Sequence, residues 1–124
     1  MVPRIILTAA LLAAAGSFPA AAARQTPVAT PNGKPVDCLP RYTIRETRVR
    51  DDSTIDFYTN GGKVYRNTLP NSCSGLGMNE GFSYETSLSQ LCSVDIITVL
   101  ERTGGLHRGA SCGLGKFQPV TLSK

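Results

Sequence analysis

Residues 55–69, IDFYTNGGKVYRNTL, decide the fold class. Successive side chains of an extended strand point to opposite faces, so Ile55, Phe57 and Thr59 share one face. Asn60-Gly61-Gly62 then offers residues that accept positive φ, and Val64-Tyr65-Arg66-Asn67-Thr68-Leu69 returns as the partner strand. The stretch predicts a β-hairpin with Asn60-Gly61 as the two-residue centre of its turn.

Strand signals continue on both sides of the hairpin. Residues 41–50 are rich in Thr, Ile, Tyr and Val. Their alternation slips between Ile44 and Val49, which a bulge would accommodate. Asp51-Asp52-Ser53 reads as a turn, because short polar side chains bond nearby amides. Pro70 and Cys73 end the second hairpin strand, and residues 74–81 read as a glycine-punctuated loop. Residues 82–86 alternate again. Leu88 and Leu91 fit a single helical turn within residues 87–92. Residues 94–100 are the most apolar segment of the mature chain, and their β-branched content predicts a strand buried on both faces. Asp95 is compatible with that only at the start of the strand. Gly104-Gly105 and Gly109 mark a long loop, and residues 117–121 an edge strand.

Five or six short strands without a long helix predict a mainly β domain. Its form is a small antiparallel sheet, either a partly closed barrel or a compact sandwich. The expected core is Ile44, Val49, Ile55, Phe57, Val64, Leu69, Phe82, Val94, Ile96, Val99, Leu100 and Phe117.

The N-terminus sets the compartment. Arg4 precedes an apolar run at residues 5–15, and Ala21-Ala22-Ala23 is a small-residue cleavage site. That order is a secretory signal peptide over residues 1–23. The run is too short for a membrane span, which needs about 20 apolar residues. No transmembrane segment is expected after cleavage, so the protein should be periplasmic or secreted. Residues 24–37, RQTPVATPNGKPVD, carry three prolines and no apolar periodicity, the pattern of a flexible linker. The folded domain is expected over residues 38–124.

Export gives the cysteines their meaning. Cys38, Cys73, Cys92 and Cys112 all follow the leader, and two disulfides are expected in an oxidising compartment. A zinc site would bring close ligand pairs. The gaps here are 34, 18 and 19 residues, so no metal or other cofactor is expected. Four cysteines allow three pairings, which sequence does not distinguish. The nested arrangement, Cys73–Cys92 inside Cys38–Cys112, is the favoured expectation.

The cysteines also sit in a wider pattern. It runs from Cys38-Leu39-Pro40 through Gly62-Lys63-Val64-Tyr65, Leu69 to Cys73 and Leu76. It continues through Leu91-Cys92-Ser93-Val94-Asp95 to Cys112-Gly113-Leu114-Gly115-Lys116-Phe117. This resembles a group of small exported proteobacterial proteins classed as a domain of unknown function. The resemblance implies a periplasmic, disulfide-linked β domain and assigns no catalytic or ligand-binding residue.

The candidate sites are few. His107, with Ser111 and either Asp95 or Glu101, is the one set from which a small hydrolase or metal-dependent enzyme could be built. A triad needs its base fixed by a rigid scaffold, and a glycine-rich loop offers none. Asp51, Asp52 and Asp56 fail the EF-hand pattern, which needs Gly at the sixth place and Glu at the twelfth. Those places hold Asp56 and Gly62. The loops around Cys73 and Cys112 both read Ser-Cys followed by glycines, which let the chain turn beside each bridge.

Arg41, Arg45, Arg48 and Arg50, with Tyr42, Tyr58 and Tyr65, form the best candidate binding face. Strict alternation sets Arg41 and Arg45 opposite Arg48 and Arg50. Loss of Arg4 with the leader takes the net charge from +4 to +3, a mild basicity. Export removes nucleic acid as a partner, and leaves an anionic envelope glycan, a lipid headgroup or an acidic protein patch. The function expected is that of a non-catalytic binding or accessory protein of the cell envelope.

Overall fold

A computed structural model describes residues 26–86 and 88–124. The expected signal peptide and cleavage site lie outside the described residues. In chain order the strands are β1 (Ala29–Pro31), β2 (Cys38–Pro40), β3 (Ile44–Asp51), β4 (Thr54–Thr59) and β5 (Val64–Thr68). A one-turn helix α1 (Leu76–Asn79) follows. The chain then forms β6 (Phe82–Tyr84), β7 (Gln90–Cys92), β8 (Ile96–Glu101), β9 (His107–Gly113) and β10 (Phe117–Leu122).

All pairings are antiparallel and make three sheets. The largest has the order β1-β10-β5-β4-β3, the second is β6-β8-β9, and β2-β7 is a two-stranded ribbon. They do not close into a barrel. The five- and three-stranded sheets share one core in a sandwich-like arrangement, so the sandwich alternative holds.

The predicted hairpin is β4 and β5, with Ile55 opposite Asn67, Phe57 opposite Tyr65 and Tyr58 opposite Val64. Its loop has three residues, not two. Thr59 N donates to Lys63 O at 2.8 Å, which leaves Asn60-Gly61-Gly62 as the turn. Gly61 and Gly62 take φ values of 76° and 77°, where a side chain would be strained. The slip read in residues 41–50 is also real. β3 shifts register against β4 between Ile44 and Glu46 and again between Val49 and Asp51.

The core is a continuous cluster of Leu39, Ile55, Phe57, Leu69, Cys73, Leu76, Leu91, Ile97, Val99, Leu114 and Phe117. Phe57 is its hub. Its ring meets Phe117 of the same sheet at 5.2 Å and Phe82 of the facing sheet at 6.4 Å, both edge-on. Edge-to-face contacts add to the burial term, which is about 1.5–3 kcal/mol for each such side chain.

Several expectations are corrected. Residues 94–100 are not buried on both faces: Ile97 and Val99 point inward, while Val94 is 86% and Ile96 58% exposed. The three-stranded sheet has only one neighbour, so β8 needs one apolar face. Asp95 does precede the strand, and its Oδ2 accepts from Cys92 N at 2.7 Å. Leu91 is buried and Leu88 exposed, because residues 90–92 are a strand, not a helical turn. The glycine-marked loop ends at Leu106, and His107–Gly113 is strand β9.

Part of the expected linker belongs to the sheet. Ala29, Thr30 and Pro31 pair with Leu122, Thr121 and Val120, and Val36 bridges Phe117. β10 is therefore interior, between β1 and β5, and not an edge. Pro119 is tolerated there because a strand residue's N and C=O face the same neighbour. Its carbonyl accepts from Asn32 N, beyond the last β1 pair, so its missing N–H breaks no ladder bond.

The disulfides interleave and do not nest. Cys38 bonds Cys92, with Cα atoms 4.0 Å apart, and Cys73 bonds Cys112, with Cα atoms 5.9 Å apart. Cys38 and Cys92 are direct partners in the β2-β7 ribbon. Strand adjacency selects this pair, whereas short sequence separation favoured the other.

Candidate functional site

Six side chains on three neighbouring strands build the most organised polar cluster. β3, β4 and β5 run side by side, and their register sets Asp56 opposite both Arg48 and Arg66. Ile55 and Phe57 face the core, so alternation turns Asp56 and Tyr58 to the outer face of the five-stranded sheet. Arg50 Nε donates to Asp56 Oδ2 at 2.9 Å, and its Nη2 donates to Tyr58 Oη at 2.9 Å. Arg66 Nε donates to Asp56 Oδ1 at 2.8 Å, and its Nη2 donates to Oδ2 and to Pro27 O, each at 3.0 Å.

Asp56 is fully buried beneath the two guanidiniums. A buried carboxylate is tolerated only when its lone pairs are taken by charged donors, and here both oxygens are. Hydrogen bonding to Asp56 holds the Arg66 pKa above its ordinary value, against the opposing effect of burial. Arg48 lies over the Tyr58 ring, 4.9 Å from its centroid, within cation–π range. Its Nε donates to Glu46 at 2.8 Å, and that bond is the leading cause of its raised pKa.

The candidate face therefore divides. Arg48, Arg50 and Tyr58 come together, joined by Arg66, Asp56 and Glu46. Arg45 is elsewhere, donating to Asn60 Oδ1 at the hairpin turn. Arg41 precedes β3 and lies 5.6 Å from the Tyr84 ring centroid. Tyr65 packs against the core, and Tyr42 is 81% exposed. Arg41 lies in the turn before β3 and Arg45 at the register shift between Ile44 and Glu46, so turn and bulge set them apart from Arg48 and Arg50.

Asp56 and Arg66 escaped the sequence reading. Asp56 falls close to Asp51 and Asp52 in sequence, but the three do different things. Asp51 Oδ1 accepts from Ser53 N at 2.8 Å, and Asp52 Oδ1 accepts from Gly77 N at 2.7 Å. The available signal was parity. Asp56 sits between Ile55 and Phe57, and Arg66 falls directly across from it in the hairpin register.

The structure does not assemble the His107 set. His107 opens β9 opposite Glu101, with Nε2 3.7 Å from Oε2 and both side chains well exposed. Ser111, four residues along, shares a 3.0 Å hydrogen bond with Thr98. Asp95 lies at the opposite end of β8. Among the described residues, no cluster of three His, Cys, Asp or Glu side chains could hold a metal ion. No helix among them is long and apolar enough to cross a membrane.

The sequence matches no protein-family model, and neither curated proteins nor solved structures show a match.

Proposed function

We propose that this chain is an exported, disulfide-linked β domain of the cell envelope. It acts by binding an anionic envelope component and not by catalysis. The observation that carries the reading is the convergence of Arg48, Arg50 and Arg66 with Tyr58 on one sheet face, where Glu46 and Asp56 leave one positive charge in excess. Arg50 and Arg66 form the inner layer, held by Asp56. Arg48 is the outer cation, half exposed and stacked on Tyr58, and so meets the ligand first.

Three further points support export. Both cysteine pairs are bridged, a state that persists in oxidising compartments, and the N-terminal 23 residues have the order of a secretory leader. The resemblance of the cysteine and glycine framework to small exported proteobacterial proteins points the same way, to the periplasm.

The test is co-sedimentation of the mature chain with phosphatidylglycerol vesicles and with murein sacculi at low and high salt. Retention on either at low salt is expected, with loss at high salt and in Arg48→Glu. Binding to neither, or binding that Arg48→Glu leaves intact, would overturn the reading.

A further inference from the structure

The five-stranded sheet splits beside the hairpin turn. Val120 opposite Val64 is the last pair between β10 and β5. Beyond it, Thr121 and Leu122 pair only with Thr30 and Ala29 of β1. On the other side the chain turns away at Gly62 and Lys63, where the Lys63 carbonyl accepts from both Thr59 N and Thr59 Oγ1. The divergence leaves a cleft of about 550 Å³, within the roughly 300–1,000 Å³ of small-ligand sites.

The lining has a definite chemistry. Val64, Pro119, Val120 and Leu122 are its aliphatic residues, and Tyr58 and Tyr65 also border it. Asn32 also lines the cleft, but its Nδ2 donates to Thr121 Oγ1 at 2.9 Å. The aliphatic share of the lining favours a ligand with an apolar body over one rich in hydroxyls. Lys63 is the one charged residue in the lining. It is exposed, and among the described residues no carboxylate pairs with it.

We infer that this cleft binds a small amphipathic carboxylate. The apolar body lies against Val64, Val120 and Leu122, and the carboxylate meets the Lys63 ammonium. A single lysine matches a monoanion, whereas a phosphate dianion would call for more donors and more charge. The inference rests on the reading of the chain as a binding domain and gives that domain a ligand class. It shares only Tyr58 with the arginine face.

The experiment is a titration of the isotopically labelled mature chain with octanoate and, separately, with glucuronate, followed by amide NMR shifts. Saturable shifts at residues 62–65 and 119–122 are expected with octanoate and not with glucuronate. Lys63→Glu should weaken octanoate binding about tenfold or more, and Lys63→Ala should weaken it less. Both variants are exposed-site changes, and their spectra report the fold directly. Absence of saturable octanoate shifts, indifference to Lys63→Glu, or equal binding of glucuronate would each overturn the inference. Loss of octanoate binding with Arg48-dependent vesicle or murein binding intact would sink this site alone. The reverse pattern would sink the arginine face alone.

Discussion

The carboxamide of Asn67 holds the backbone of Gly115 as a neighbouring strand would. Its Nδ2 donates to Gly115 O at 2.7 Å, and its Oδ1 accepts from Gly115 N at 2.8 Å. Asn67 is fully buried and Gly115 partly so. The two bonds tie the end of β5 to the segment joining β9 and β10, just before Phe117 enters the core. Gly115 is a glycine for a steric reason, because a β-carbon there would overlap the Thr68 carbonyl oxygen. Gly115 therefore does more than let the chain turn.

Asn67→Ala removes both partners from the partly buried Gly115 N–H and carbonyl, which should cost about 1–3 kcal/mol. Gly115→Ala should cost at least as much, since the obstacle is backbone and cannot rotate aside. Urea unfolding monitored by circular dichroism measures both. An unchanged midpoint in either variant would show that the clasp is dispensable.

Asp56 is the second buried polar residue with a defined duty. Asp56→Asn removes the charge that holds Arg50 and Arg66, leaving two poorly solvated guanidiniums beside a neutral amide. Breaking a buried ion pair in this way costs about 3–5 kcal/mol. Arg66→Met should cost less, because Arg50 and Tyr58 stay bonded to their partners. The raised Arg66 pKa gives a sign as well. Its contribution is complete below the ordinary arginine value and lost only as pH rises through the higher folded value. Asp56→Asn should therefore destabilise equally at pH 6 and pH 9. Matching unfolding curves for wild type and Asp56→Asn would refute the role.

The hairpin was legible in the sequence because everything that specifies it is local. Ile55, Phe57 and Thr59 keep strict period-two spacing, and Gly61 and Gly62 supply the positive φ within three residues. What escaped depends on distant neighbours. β9 was hidden by Gly109 and Gly113, which read as loop markers. At Gly109, however, an added β-carbon would press on the Glu101 side chain, so the glycine serves packing inside a strand. β1 was hidden by Pro31, which an edge strand accepts because no donor is needed on its open side. That Arg48 and Arg50 share a face could be read from parity, whereas the burial of Asp56 required knowing that β3 and β5 flank β4.

Disulfide connectivity is a direct check on the sheet topology. Trypsin alone leaves Cys73 and Cys92 on one peptide, since no Lys or Arg lies between Arg66 and Arg102. Adding a glutamate-specific protease cuts at Glu80 and Glu85 and separates them. Non-reduced digests should then show Cys38 linked to Cys92 and Cys73 linked to Cys112. A Cys73–Cys92 peptide would mean that β2 and β7 are not paired as described.

The two bridges should also differ in how readily they open. Cys73 is fully buried in the core cluster, its amide held by Asp52 O at 2.7 Å. Cys38 and Cys92 sit partly exposed on a two-stranded ribbon at the margin of the fold. Thiol exchange requires a thiolate to reach a sulfur atom, so a mild reductant should open Cys38–Cys92 in the native state while Cys73–Cys112 survives. By loop length, loss of each constraint is worth about 4 kcal/mol in the chain-entropy account. That is large against the roughly 5–15 kcal/mol of net stability typical of natural domains. Trapping free thiols with iodoacetamide at intervals and mapping the alkylated cysteines follows the order. Alkylation of Cys38 and Cys92 should precede that of Cys73 and Cys112 under native conditions, and the difference should vanish in denaturant. Simultaneous alkylation of all four in native buffer would show that both bridges open only through global unfolding.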